Sequence, residues 1–101
     1  MEYQIALAQF KPIREDVSAN IRNLQNLLYN IKADLIVLPE LANSGYLYAS
    51  QEKLRPYSEP KDGSGPFLTA LIGMAKQSGS VIVCGYAESE GDAIYNSAAA
   101  V

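Results

Sequence analysis

Two unbroken apolar runs, Leu35-Ile36-Val37-Leu38 and Val81-Ile82-Val83-Cys84, constrain this chain more than any other feature in it. Neither run alternates apolar with polar residues, so neither reads as a strand with one wet face. Continuous runs of this length fit strands buried on both faces, the pattern of parallel sheets covered by helices. A segment of helical period precedes each run. Over residues 17–32, Ile21, Leu24, Leu27, Leu28 and Ile31 recur at spacings of three and four and form one apolar stripe, with Asp16 as N-cap. Ser64-Gly65-Pro66 opens the other helix, Phe67, Leu68, Leu71, Ile72 and Ala75 line its buried face, and Gly79 stops it. A strand over 3–10 comes first. A turn at 89–92 leads to a last strand over 94–101. The predicted order is β-α-β-α-β-β, with the first three strands parallel and the last two an antiparallel hairpin. On this pattern Leu35, Ile36, Val37, Val81, Ile82 and Val83 are all expected between layers. Residues 41–62 read as a long loop with a short helical turn. Loops of that length in a compact domain are often functional.

Composition removes several functions. The chain has no histidine and one cysteine, so a Ser-His-Asp triad or a Cys-His pair cannot be assembled from it, and the same counts argue against a zinc site. No metal or cofactor is expected. Acid–base chemistry has to run on carboxylates, lysines or tyrosines. The net charge is −3 and the basic residues are scattered, which argues against nucleic acid as a partner. No apolar stretch approaches the roughly 20 residues of a membrane span. The N-terminus also lacks the basic start of a signal peptide. A soluble, cytoplasmic protein is the expectation. The chain stops inside an apolar run, residues 98–101, and the reading is therefore of a fragment of something longer.

Glu40 is the strongest chemical candidate. It follows Pro39 just past the C-terminal end of a buried strand, where open α/β sheets place their ligands. A carboxylate drawn into a partly dry pocket there can serve as a base near neutral pH. Tyr46, after Gly45 on the following loop, is a candidate wall of a substrate pocket, with Tyr48 and Tyr57 further out. Cys84 lies inside a β-branched strand with no cation near it in sequence, and reads as a small apolar core residue. Asp62-Gly63-Ser64-Gly65 lacks the lysine and spacing of a phosphate loop and reads as a helix-start turn. Glu88 and Glu90 read as solvated residues beside a turn, and Lys53 and Arg55 as surface residues of the long loop.

Leu38-Pro39-Glu40-Leu41, with Asn43-Ser44-Gly45-Tyr46 behind it, resembles the glutamate motif of the nitrilase superfamily of carbon–nitrogen hydrolases. The resemblance runs along the whole chain. Ile5-Ala6-Leu7-Ala8-Gln9-Phe10 resembles the family's first strand, and Asn20 falls where the family has an asparagine in its first helix. Asp62-Gly63 and Val81-Ile82-Val83-Cys84-Gly85 resemble the next βα unit. Tyr95-Asn96-Ser97-Ala98 resembles the strand before the family's lysine. The resemblance implies an α/β fold, the N-terminal part of an αββα sandwich, with residues 1–101 as the N-terminal portion of a single hydrolase domain. It implies hydrolysis of non-peptide C–N bonds in small-molecule amides, N-carbamoyl compounds or nitriles by a glutamate, a lysine and a cysteine. Only the glutamate, the general base, maps here, as Glu40; the lysine and cysteine would lie beyond Val101. It also implies a homodimer or larger homo-oligomer. Two other readings stay open: a non-catalytic binding or regulatory module of the same fold, and a glutaminase domain fused to a synthetase.

Overall fold

The computed structural model describes all of residues 1–101. Its elements are β1 (Ile5–Leu7), α1 (Val17–Leu28), β2 (Leu35–Val37), α2 (Gln51–Leu54), a 3-10 turn (Arg55–Tyr57), β3 (Glu59–Pro60), α3 (Pro66–Ser78), β4 (Val81–Glu90) and β5 (Ala93–Ala100). β1, β2 and β4 are parallel neighbours, in the register Ile5–Leu35–Val81 through Leu7–Val37–Val83. β5 returns antiparallel along the other edge of β4. The two-residue β3 pairs in parallel with Glu88 and Ser89, continuing the β4 edge beyond the end of β2. It lies in the stretch read as loop, where two residues, one of them proline, carry no strand periodicity.

The helices end as their sequences require. The Asp16 carboxylate accepts from Ala19 N at 2.9 Å, capping α1. Pro66 sits in the first turn of α3, and Gly79 ends it in the left-handed conformation at φ 69°. A two-residue connection closes the β4–β5 hairpin. Its first residue, Gly91, has φ 56°, as tight hairpin turns demand.

Burial differs from the expectation in one systematic way. α1 and α3 cover a single face of the sheet. Leu24, Leu28, Phe67, Leu71, Ile36, Ile82 and Cys84 meet there in one core. Side chains alternate across a strand, so residues on either side of Ile36 and Ile82 point the opposite way. Of the six strand residues expected between layers, only Ile36 and Ile82 are fully buried. Leu35, Val37 and Val83 are half-buried and Val81 is exposed. Ile5 and Leu7 lie exposed on the same open face as Val81. The apolar runs are as read, but within residues 1–101 only one of their faces has a covering layer.

Smaller corrections follow from geometry. α1 stops at Leu28 rather than at residue 32; Ile31, beyond its end, and Leu27, on its outer side, are exposed. Ile72 is exposed, and Met74 takes its place in the α3 core stripe. β1 is shorter than residues 3–10. No helix is long and apolar enough to cross a membrane.

Candidate active site

Glu40 leaves the C-terminal end of β2 in a segment held to β4 by backbone hydrogen bonds. Leu38 N donates to Val83 O at 2.8 Å, Gly85 N to Pro39 O at 3.1 Å, and Ala42 N to Gly85 O at 3.0 Å. The chain therefore bulges across Gly85 at Glu40. The approach is so close that a Cβ on Gly85 would overlap the Glu40 Cα and lie 3.1 Å from its N and Cβ. Only glycine leaves room there. Leu41, the next residue, has φ 49°, an uncommon conformation for a branched side chain, at the point where the chain turns away.

The Glu40 side chain lies on the open face of the sheet and is exposed to solvent. This differs from the partly dry pocket the sequence suggested, for the same reason that Val81 is exposed. One carboxylate oxygen, Oε2, accepts from Asn96 Nδ2 at 2.9 Å. Asn96 lies on β5, opposite Ala87. The Glu40 carbonyl accepts from the Tyr46 hydroxyl at 3.1 Å. Tyr46 is 37% exposed and, with Lys11, Ile13, Arg14 and Leu47, lines a shallow groove of about 430 Å³. The structure thus brings the Tyr46 hydroxyl to the Glu40 backbone, while the Glu40 side chain stands outside the groove that Tyr46 lines.

Two buried asparagines hold the loop behind Glu40. Asn43 Oδ1 accepts from Ala87 N at 2.9 Å, while its Nδ2 donates to Ala87 O at 3.1 Å and Tyr57 O at 3.0 Å. Its amide acts as a strand peptide in the gap on the β4 edge between β2 and β3. Asn20 Nδ2 donates to Asn43 O at 3.0 Å and Ile13 O at 2.8 Å, and Oδ1 accepts from Ile13 N at 2.7 Å. Both side chains are fully buried with their hydrogen bonds made, which is how a polar network specifies one conformation. Tyr48 belongs to this scaffold: its hydroxyl donates to Ser44 O at 2.6 Å and accepts from Glu15 N at 3.1 Å. Burial raises its pKa, partly offset by the Glu15 backbone bond.

Cys84 is on the opposite face from Glu40, fully buried in the helix-covered core. Burial pushes its thiol up to about 12, so at neutral pH it carries essentially no thiolate. Arg55 donates to Gly91 O at 2.8 Å and Asp92 O at 2.7 Å, clasping the hairpin turn. Glu88 is half-buried within β4 rather than solvated beside a turn, and accepts from the Tyr86 hydroxyl at 2.7 Å and Ser97 Oγ at 3.0 Å. A buried acid missing from the sequence reading is Glu59, whose carboxylate accepts from Leu68 N at 2.8 Å in the first turn of α3. It takes the capping role that Gly65, lacking a side chain, leaves open. The hairpin register, with its two-residue turn at Gly91-Asp92, is the signal that would have brought Asn96 to Glu40.

A model of the carbon–nitrogen hydrolase family matches residues 4–101. The chain belongs to that family. It is 33% identical over 101 residues to a nitrilase of Pyrococcus abyssi, covering 97% of this chain and 38% of that protein. It is 35% identical over 95 residues to a protein of Pseudomonas protegens named for the pqqF 5′ region, also a hydrolase, covering 92% of this chain and 32% of the relative. The chain thus spans well under half the length of both. The fold matches the crystal structure of an N-terminal amidase at a TM-score of 0.86 and 24% identity, over 98% of this chain and 25% of that one. It also matches a CN-hydrolase superfamily protein of Xanthomonas campestris whose active site carries an arsenic adduct, at 0.83 and 23%, over 99% and 37%. The mixed sheet with its helices is the N-terminal portion of the carbon–nitrogen hydrolase fold.

Proposed function

We propose that Glu40 is the general base of a hydrolase acting on non-peptide C–N bonds, with amides favoured over nitriles as substrates. The observation that carries this reading is the placement of the Glu40 carboxylate. It stands at the C-terminal end of a parallel strand, its backbone pinned across Gly85 and one oxygen held by Asn96, on a face open to a reacting group. A lysine and a cysteine from outside residues 1–101 complete the set. Glu40 takes the thiol proton as the sulfur attacks the carbonyl carbon. The tetrahedral oxyanion collapses to a thioester as the amine leaves with a proton. Glu40 then takes a proton from the water that attacks the thioester, and the thiol reforms as the acid departs. The lysine stabilises the oxyanion. A carboxylate can act as the base at each step, which suits a chain without histidine.

Tyr46 forms part of the substrate wall. Its exposed ring flanks the groove while its hydroxyl holds the Glu40 carbonyl. Cys84 is not the nucleophile in this scheme: it lies behind the sheet, buried and protonated. Residues 1–101 are the N-terminal portion of a single domain, whose remaining sheet packs on the open face bearing Ile5, Leu7 and Val81. Burying those side chains is the same hydrophobic gain that assembles the helix-covered face. The complete protein works as a homodimer or larger homo-oligomer.

The test compares full-length protein with its Glu40→Gln variant on amides, N-carbamoyl compounds and nitriles, with circular dichroism as the folding control. The amide keeps the shape of the carboxylate but cannot take the proton. Losing a positioned base costs about 10²–10⁴ in rate, and serving two steps places this one toward the upper end. A folded variant of near-full activity would remove Glu40 from the mechanism. Turnover by residues 1–101 alone would show that the nucleophile has been misplaced.

A further inference from the structure

We propose that Asn96 is the positioning residue for Glu40: its side-chain amide fixes one carboxylate oxygen and leaves the other free to take the proton. The inference rests on the reading of Glu40 as the base.

Three observations point to it. First, the contact is exclusive. Asn96 Nδ2 donates to Glu40 Oε2 at 2.9 Å, and neither side chain makes another hydrogen bond or ion pair within the chain. Asn20 and Asn43, by contrast, are fully buried and spend their amides on backbone groups, a structural use. Asn96 is exposed and its backbone is already paired within the hairpin, so its amide has no such structural task.

Second, the sheet is shaped to allow the contact. Asn96 lies opposite Ala87, two positions along β4 from Gly85, and therefore on the Gly85 side of the sheet. Gly85, which the Glu40 backbone overlies, Ala87 and, opposite Gly85 on β5, Ala98 share this face with the amide. These three small residues leave a notch across β4 in which the two side chains can meet. The register that puts Asn96 there is set by the two-residue turn, whose carbonyls Arg55 holds. A slip of one residue would turn Asn96 to the helix-covered face and present Tyr95 or Ser97 instead.

Third, the chemistry suits a neutral donor. A lysine or arginine in this place would hold the carboxylate ionised and weaken it as a base, and an acid would repel it. An amide orients the group through a donor that carries no net charge of its own. Oε1 accepts no hydrogen bond in the chain, so it is the oxygen available to the proton.

The test uses full-length protein and four forms: wild type, Asn96→Ala, Asn96→Asp and Glu40→Gln. Each is assayed for ammonia release from a series of primary amides and N-carbamoyl compounds, with thermal melts in parallel. For Asn96→Ala the expected result is a fall in kcat of about tenfold or more, the worth of a hydrogen bond to a charged group. KM should stay within about twofold, because the lost interaction orients the base and does not touch substrate. The melting temperature should move little, since the bond removed joins two side chains and no backbone group depends on it. Asn96→Asp keeps the shape but replaces the donor with a second carboxylate, and should lose at least as much kcat as Asn96→Ala. Wild-type kcat in Asn96→Ala beside an inactive Glu40→Gln would overturn this inference alone. Melting temperatures that fall together with activity would make Asn96 structural and overturn it as well. An active Glu40→Gln, or a wild type that turns over none of these compounds, would remove the reading on which it rests.

Discussion

Gly85→Ala is the substitution whose consequence the structure fixes most tightly. The added Cβ would overlap the Glu40 Cα and lie 3.1 Å from the Glu40 N and Cβ. Carbon atoms pack at about 3.5–4.0 Å, so the Glu40 backbone must retreat by about 1 Å. β4 cannot yield instead, because β2 and β5 flank it and the helix core lies behind it. The retreat strains two hydrogen bonds, Gly85 N to Pro39 O at 3.1 Å and Ala42 N to Gly85 O at 3.0 Å. Overpacking costs about 1–3 kcal/mol and each weakened bond up to about 1 kcal/mol, giving a loss of about 1–5 kcal/mol. A displacement of about 1 Å in a reacting group lowers rate by about 100-fold. Chemical denaturation and steady-state kinetics on full-length protein measure both effects. Wild-type stability and rate together in Gly85→Ala would refute the close approach of the two backbones, and with it the account of how Glu40 is held.

Asn43→Leu should destabilise the protein by about 2–4 kcal/mol, since the Ala87 amide and the Ala87 and Tyr57 carbonyls lose their partner in a buried place; denaturant melts check this. Tyr46→Ala should change substrate preference or KM more than stability, and Tyr46→Phe, which removes the bond to the Glu40 carbonyl but keeps the ring, should change KM less; kinetics on two amides of different size separate them. Alkylation of Cys84 should be slow at pH 7 in folded protein and fast once it is unfolded, followed by mass spectrometry. The same thiol has a pH consequence. Its folded pKa of about 12 lies above the ordinary 9.0, so between those values the folded state binds a proton that the unfolded state has lost. The contribution of Cys84 is complete below about pH 9 and declines as pH rises toward 12; a Cys84→Ala variant should show a smaller alkaline loss of stability.

The parts of the fold that rest on local chemistry were legible in the sequence. The Asp16 cap, the Pro66 start and the Gly79 stop of the helices are each decided by one residue's hydrogen-bonding or φ preference, and each is where it was read. The parallel order of β1, β2 and β4 followed from strands alternating with helices. What depends on partners far apart in sequence was not legible. β3 exists because Glu59 and Pro60 meet Glu88 and Ser89, and nothing in two residues announces that. α1 ends a turn early because Ile31 N bonds back to the Leu28 carbonyl as the chain leaves for β2, although the apolar spacing continues. Glu88 looked solvated from its neighbours, yet Tyr86 and Ser97 satisfy it inside the hairpin.

The burial of β2 and β4 and the exposure of Glu40 have one physical origin. An unbroken apolar run says that both faces of a strand are to be dry, and in residues 1–101 the helices dry only one. The open face carries the remaining apolar side chains, Ile5, Leu7, Leu35, Val37, Val81 and Val83, and at its C-terminal edge it carries Glu40 and Asn96. The hydrogen bond between them is therefore made here in contact with water, where it is worth least. A layer seated on the apolar part of that face would also exclude solvent near its edge, and the same bond in a lower dielectric would hold the carboxylate more firmly. On that reasoning the face that assembles the domain also completes the site. Leu7→Asp in full-length protein, placed on the open face away from Glu40, should then lower stability and kcat together. The expected loss of stability is about 2–3 kcal/mol from the buried charge and lost apolar area. Urea melts and amide hydrolysis measured on the same sample would decide it. Wild-type stability in Leu7→Asp would mean that the face stays wet in the whole protein and that Glu40 works exposed.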